Sequence, residues 1–261
     1  MKIVIVGTGF GGLSAAALLA KNGFDVTVLE KNDHPGGRAS VYSEKKFYFD
    51  MGPSWYLMPD VFENFFAQFD KKPEDFFELK KLDPSYRIYF GGEKAIDISA
   101  DLEKNFALFD TFEKDGGKKL QKYLESAGKM YEVSIKELMY RDYRTIFDFM
   151  DRKLMAQGLK LNLLDNLDKF VSKHFESDEA KKIVEYSIGF LGSSPHNTPS
   201  FYHIMSHIDL TLGVWYPEGG MRKVADSVYR LAMSYGAKFH FNEPVVKIEV
   251  EDKKVTKVIT N

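Results

Sequence analysis

The chain contains no cysteine. Disulfides, thiolate metal sites and a cysteine nucleophile are therefore excluded together. It also has little excess of either charge: 36 Lys and Arg against 38 Asp and Glu leave −2. Without a basic field, nucleic acid is not an expected partner. No apolar run is long enough to span a bilayer. The first apolar run is not followed by a cleavage-like end, so no signal peptide is expected and a cytoplasmic setting is. Repeats and low-complexity stretches are missing too. What is present, 261 residues with 44% hydrophobic and 15% aromatic content, suits one large packed domain or two smaller ones.

The N-terminus carries the strongest pattern. The β-branched run Ile3 to Val6 predicts a strand buried on both faces. It runs straight into Gly7-x-Gly9-x-x-Gly12, and the small apolar stretch Leu13 to Ala20 predicts a tightly packed helix. Strand before and helix after is the setting that makes this glycine spacing a dinucleotide cradle. Gly7 permits the turn, Gly9 lets a pyrophosphate approach the backbone, and Gly12 lets helix and strand pack closely. The helix N-terminus offers N–H groups and a partial positive charge to phosphate.

Gly23 closes that helix, and Asp25 to Glu30 predicts a second strand ending on an acid eighteen residues past Gly12. An acid there accepts hydrogen bonds from the two ribose hydroxyls of an adenosine, and its charge disfavours NADP. The next loop ends in Gly36-Gly37-Arg38, a second close approach with a guanidinium that can hold phosphate bidentately. A nicotinamide dehydrogenase needs no such second loop. The three features together point to FAD.

Those motifs resemble the two-dinucleotide-binding-motif flavoproteins, which include amine oxidases and carotenoid desaturases. Phe47 to Pro53 and Gly213 to Met221 narrow the resemblance to bacterial-type phytoene and dehydrosqualene desaturases. It runs the whole length of the chain, which corresponds to about the first half of such an enzyme. The fold implied is α/β: a discontinuous Rossmann-like FAD domain, 1–75 with 214–261, and an inserted, largely helical α+β substrate and membrane domain, 76–213, with the C-terminal part of the fold missing. The cofactor residues implied are Gly7, Gly9, Phe10, Gly11, Gly12, Glu30, Lys31, Gly37, Arg38, Gly52, Pro53, Ser54 and Val245. Gly52-Pro53-Ser54 would lie near the flavin ring, although a simple turn explains the same residues. Val245, in Pro244 to Ile248, would meet the adenine through its backbone.

Elsewhere the pattern gives elements. Val41 to Ser43 and Phe47 to Phe49 predict a hairpin, and Asp60 with Glu63 a capping-box start to a helix over Val61 to Phe69. Tyr86 to Phe90 and Ala95 to Ile98 predict a second hairpin. Helices with breaks near Gly116-Gly117 and Ser177 fill 101–191. Within them, apolar residues of 153–175 (Leu154, Met155, Leu159, Leu161, Leu163, Leu164, Leu167, Phe170, Val171, Phe175) form a stripe flanked by Arg152, Lys153, Lys160, Lys169 and Lys173. Such a stripe serves either a core or a membrane interface with anionic head groups. His203 and His207 have metal-pair spacing, but Ile204 stands where a zinc protease motif has its Glu, so no metal is expected. His196 shows no partner. A helix over Val224 to Tyr235 and strands over Lys238 to Phe241, Val245 to Val250 and Val255 to Ile259 close the chain.

The resemblance implies hydride removal from an allylic C–H of a long isoprenoid to a flavin, with no protein nucleophile and no proton acceptor marked in the sequence. At about 0.8 kcal/mol per methylene, carrying dozens of carbons through water would cost tens of kcal/mol. The substrate would pass directly from a bilayer, which implies a protein peripheral to the inner face of the cell membrane. A flavin amine oxidase or protoporphyrinogen-oxidase-like enzyme keeps the same cofactor. A non-enzymatic isoprenoid binder, like the Rab GDP-dissociation inhibitors, keeps the fold. With half of the flavin pocket absent, the 261 residues alone are expected to hold FAD weakly and not to turn over, and a truncated reading frame or a split enzyme with a separate C-terminal half would each explain the length.

Overall fold

A computed structural model describes residues 1–92, 94–140, 142, 144–145 and 165–261. The chain divides into two compact units, Met1–Lys80 with Trp215–Asn261, and Lys81–Val214. In order, the first unit begins with β1 (Lys2–Val6), α1 (Phe10–Lys21), β2 (Asp25–Leu29), β3 (Val41–Glu44), β4 (Phe47–Asp50), α2 (Pro59–Ala67) and β5 (Leu79–Lys81). The second unit holds β6 (Tyr86–Tyr89), β7 (Ala95–Ile98), α3 (Leu102–Phe112), α4 (Gly116–Val133), α5 (Leu167–Ser172) and α6 (Asp178–Glu185). The first resumes with β8 (Trp215–Pro217), α7 (Arg222–Ser234), β9 (Lys238–His240), β10 (Val245–Glu251) and β11 (Lys254–Thr260). The chain leaves the first unit and returns to it along a pair of strands, β5 beside β8.

The first unit is built on a parallel sheet in the order β1-β2-β9. Its inner face presents Ile3, Ile5, Val26 and Val28, and α1 lies against α7. Ala16, Ala17 and Ala20 on α1 are small enough to let α7 come close with Val224, Ala225, Val228 and Leu231, all buried. The aromatic residues of α2 extend the same core: Tyr56 stacks on Phe62 at 4.4 Å and Phe66 is fully buried.

The outer face corrects the expectation that β1 is covered on both sides. Val4 and Val6 are 38% and 53% exposed. Period-two alternation puts them opposite Ile3 and Ile5, and among the described residues α1 and α7 cover the inner face only. β1 is also an edge strand among the described residues, where one row of its backbone groups has no ladder partner. The hairpins of this unit are similarly open. Phe47, Tyr48 and Phe49 on β4 and Val246, Ile248, Val250 and Val255 on β10 and β11 are all more than half exposed.

α2 starts differently from the sequence pattern. Pro59 occupies its first turn, a position where its missing N–H costs nothing, and Met58 precedes it at φ 56° with no side-chain cap. Asp60 and Glu63 therefore fall inside the helix.

In the second unit α3, α5 and α6 each start on a side-chain cap. Asp101 accepts from the Glu103 N–H (3.0 Å), Asn166 from Lys169 (2.9 Å) and Ser177 from Ala180 (3.4 Å). Gly116 and Gly117 open α4 instead of breaking a helix, because a Cβ at either would run into carbonyl oxygens of α3. The core joins Phe109, Tyr123, Leu167, Val171, Phe175 and Ile183. Most of the long apolar stripe, 152–164, lies outside the described residues. Its described end is core: Leu167, Phe170, Val171 and Phe175 are buried, and Lys173 pairs with Asp165.

Candidate functional site

The turn between β1 and α1 meets the end of β2 around one carboxylate. Glu30 is only 4% exposed, just beyond the last residue of β2. Its Oε2 accepts from the Thr8 N–H (2.7 Å) and the Thr8 hydroxyl (2.6 Å), and its Oε1 from the Asn32 N–H (2.9 Å). Burial pushes this carboxyl up, but the bonds from the Thr8 hydroxyl and from the Asn32 and Thr8 N–H groups, with the nearby Lys31 backbone, outweigh it and hold it below the ordinary value. The acid is thus fixed as a carboxylate. An ionised carboxylate has about four acceptor sites, so about one remains on Glu30 beyond the three in use.

The second glycine loop is tied to the same residue. The Gly36 N–H donates to the Thr8 carbonyl at 2.9 Å, and a Cβ on Gly37 would stand 3.0 Å from Gly9 Cα. The C-terminal strands arrive through backbone bonds as well: the Glu30 N–H donates to His240 (2.9 Å), and the Glu243 N–H to Glu30 (2.8 Å).

Together these segments enclose a cavity of about 290 Å³. Gly7, Gly9, Glu30, Lys31, Gly37 and Val245, six of the residues named from sequence, line it. A Cβ on Gly7 or Gly9 would meet no atom within 4 Å, so the space in front of them is open for a ligand. Gly9 is the N-cap of α1 and supplies no capping side chain, which leaves the first-turn N–H groups to an anion. Gly12 does not line the cavity; a Cβ there would collide with the Gly7 carbonyl oxygen, so it is needed for helix-to-turn packing.

The other named residues lie apart from this cavity. Phe10 packs edge-on against Phe62 at 6.2 Å. Gly11 and Arg38 are exposed, as are Gly52, Pro53 and Ser54, and Gly52 crosses directly over the Arg38 carbonyl. Sequence reasoning missed Thr8, Asn32 and Glu243. Thr8 sits in a variable position of the glycine motif, and Asn32 and Glu243 act through backbone N–H groups that any residue but proline supplies. Asp50 was also missed. It joins the two stretches that narrowed the resemblance, accepting from the Tyr216 hydroxyl (3.0 Å) and the Met221 N–H (3.2 Å).

The three histidines singled out in the sequence have separate surroundings. His203 is 1% exposed; its Nδ1 donates to the Ser200 carbonyl (2.8 Å), and its Nε2 is 3.2 Å from the Ser126 hydroxyl. It closes a 3₁₀ turn, and His207 begins a π-helical segment. His196 does have a neighbour: Asp168, 3.3 Å away. Among the described residues no group of three His, Asp or Glu is placed to hold a metal ion, and no helix is long and apolar enough to cross a membrane.

Residues 10–261 match the profile of the family described as flavin containing amine oxidoreductase. The chain belongs to that family. The cofactor expected from the glycine motifs, FAD, agrees with it. The chain is 41% identical over 247 residues to a carotenoid 3,4-desaturase of Haloarcula japonica, covering 94% of this chain and 50% of that protein. It is 31% identical to a 4,4'-diapophytoene desaturase (4,4'-diaponeurosporene-forming) of Staphylococcus aureus, covering 97% and 50%. The chain thus spans about half the length of the curated relatives it matches. Among solved structures, an oxidoreductase from Methanosarcina mazei aligns with a TM-score of 0.62 at 20% identity, over 100% of this chain and 56% of that one, a likeness of fold.

Proposed function

We propose that this chain forms the cofactor-gripping portion of an FAD-dependent desaturase acting on a long isoprenoid of the phytoene or dehydrosqualene type in carotenoid synthesis. The 41% identity to a carotenoid 3,4-desaturase carries this reading. The cavity beside Gly7, Gly9 and Glu30 supports it: open in front of the glycines, with an ionised acid at one end and an uncapped helix start at the other. In this reading the α1 N–H groups take the pyrophosphate, with Phe10, Gly11 and Gly12 in that first turn. Glu30 accepts a ribose hydroxyl, Lys31 and Gly37 flank it, and the Val245 backbone meets the adenine. Arg38 and Gly52-Pro53-Ser54 serve the flavin end.

When bound, the flavin supplies the hydride acceptor for an allylic C–H. The residues of the chain bind, orient and keep out water. The first unit takes the cofactor; the second faces the substrate and the membrane surface. Peripheral membrane attachment follows from the cost of passing a long hydrocarbon through water.

A companion half, on the same polypeptide or a separate one, completes the site. The uncovered face and free edge of β1 support this, as does the doubled length of the relatives. The test is expression of the 261 residues with and without the remaining half of a relative. Flavin absorbance and desaturation of phytoene in vesicles are then followed. Weak flavin binding and no turnover alone, with both gained on co-expression, are expected. Sustained desaturation by the chain alone would sink the companion half, and absence of flavin in both preparations would sink the cofactor reading.

A further inference from the structure

The ribose assigned to Glu30 under the FAD reading carries two vicinal hydroxyls, each with one proton to donate. Glu30 has room for one of them. Bonds from the Thr8 N–H, the Thr8 hydroxyl and the Asn32 N–H take three of the roughly four acceptor sites on its carboxylate. The second hydroxyl therefore needs another acceptor in the same cavity.

Few side chains of the lining can supply it. Lys31 carries donors only, and the Thr8 hydroxyl is fully buried with its proton directed at Glu30. The other polar side chains of the lining are those of Asn32 and Glu243. Glu243 is half-buried, and its carboxylate has no hydrogen-bond or ion-pair partner among the described residues. Backbone bonds hold it beside Glu30. The Glu243 N–H donates to the Glu30 carbonyl at 2.8 Å, and the Asn242 N–H to the Asn32 carbonyl at 3.0 Å. A carboxylate accepts a bond roughly twice as strong as a neutral amide does, which favours Glu243 over the exposed Asn32.

We infer that Glu243 and Glu30 divide the adenosine ribose between them, one vicinal hydroxyl donating to each carboxylate. This rests on the FAD reading and adds to it a second ribose-binding acid, from the loop between β9 and β10.

Calorimetric titration of the 261-residue chain with ADP, 2′-deoxy-ADP and 3′-deoxy-ADP tests it, since each analogue lacks one hydroxyl. The native chain is expected to bind ADP about tenfold more tightly than either analogue, the effect of one hydrogen bond to a charged group. Glu243→Ala should lose its preference over one analogue and keep its preference over the other, which belongs to Glu30. Glu243→Gln keeps a neutral acceptor and should regain part of the lost preference. The inference is overturned if the native chain discriminates against only one analogue, or if Glu243→Ala keeps both preferences or loses both. Failure of the native chain to bind ADP at all would instead overturn the FAD reading.

Discussion

Thr8 and Glu30, 22 residues apart, are joined by two hydrogen bonds to one carboxylate oxygen, from the Thr8 N–H at 2.7 Å and its hydroxyl at 2.6 Å. The pair locks the turn after β1 to the end of β2. Through the Thr8 carbonyl it also anchors the second glycine loop at Gly36.

Thr8→Val removes the hydroxyl donor and keeps the shape. A loss of about 1.5–3 kcal/mol is expected in urea denaturation at pH 7, the range for a bond to a charged group. Glu30 is held below its unfolded value, so its contribution is present above that value and is lost as pH falls through the folded one. The native and variant curves should converge in acid, and Thr8→Ser, which keeps the hydroxyl, should retain the native stability at neutral pH. A gap that persists undiminished at pH 3 would remove Glu30 from the explanation.

Glu30→Ala should weaken FAD binding by about 1.5 kcal/mol, roughly tenfold, as measured by quenching of flavin fluorescence. With three acceptor sites already used inside the protein, the low end of the charge-assisted range is expected. An unchanged dissociation constant would leave Glu30 with a purely structural role.

Gly12→Ala and Gly11→Ala form a matched pair in the first turn of α1. A Cβ at position 12 collides with backbone, the Gly7 carbonyl, whereas at position 11 it meets nothing. Thermal denaturation should show Gly12→Ala destabilised by about 1–3 kcal/mol or more. Gly11→Ala should be neutral or more stable by about 0.5–1 kcal/mol. Equal effects would mean that the close approach is not what Gly12 provides.

Glu185→Gln tests the raised acid of the second unit. A carboxyl raised to about 7 is a liability that grows as pH climbs from the unfolded value through 7. Asp168 adds to that liability, while His196 and Lys181 reduce it. The variant should match the native chain near pH 4 and exceed it in urea stability at pH 8. A native chain equally stable to the variant at pH 8 would place this carboxyl in ordinary solvation.

Val4→Lys probes the uncovered face of β1. The side chain is 38% exposed, so the isolated chain should change by less than about 0.5 kcal/mol. Pull-down of the co-expressed companion half should fall sharply. Undiminished capture would place the companion elsewhere.

The sequence by itself determined the nucleotide turn, the acid at the end of β2 and the hairpins. Each depends on neighbours within a few residues: a β-branched run, glycines at fixed spacing, alternation closed by a tight turn. The family resemblance was legible for the same reason, in short motifs. Tertiary structure decided what those residues do. It made Thr8 the clamp on Glu30, joined Asp50 to Tyr216 and Met221, and turned Leu167, Val171 and Phe175 into core. It also left Val4 and Val6 in solvent, because strand periodicity sets which side chains share a face but not whether anything covers it. The unpartnered oxygen of Glu185 is of the same kind. An acid at the end of an amphipathic helix reads as surface, and only tertiary packing takes that oxygen out of solvent.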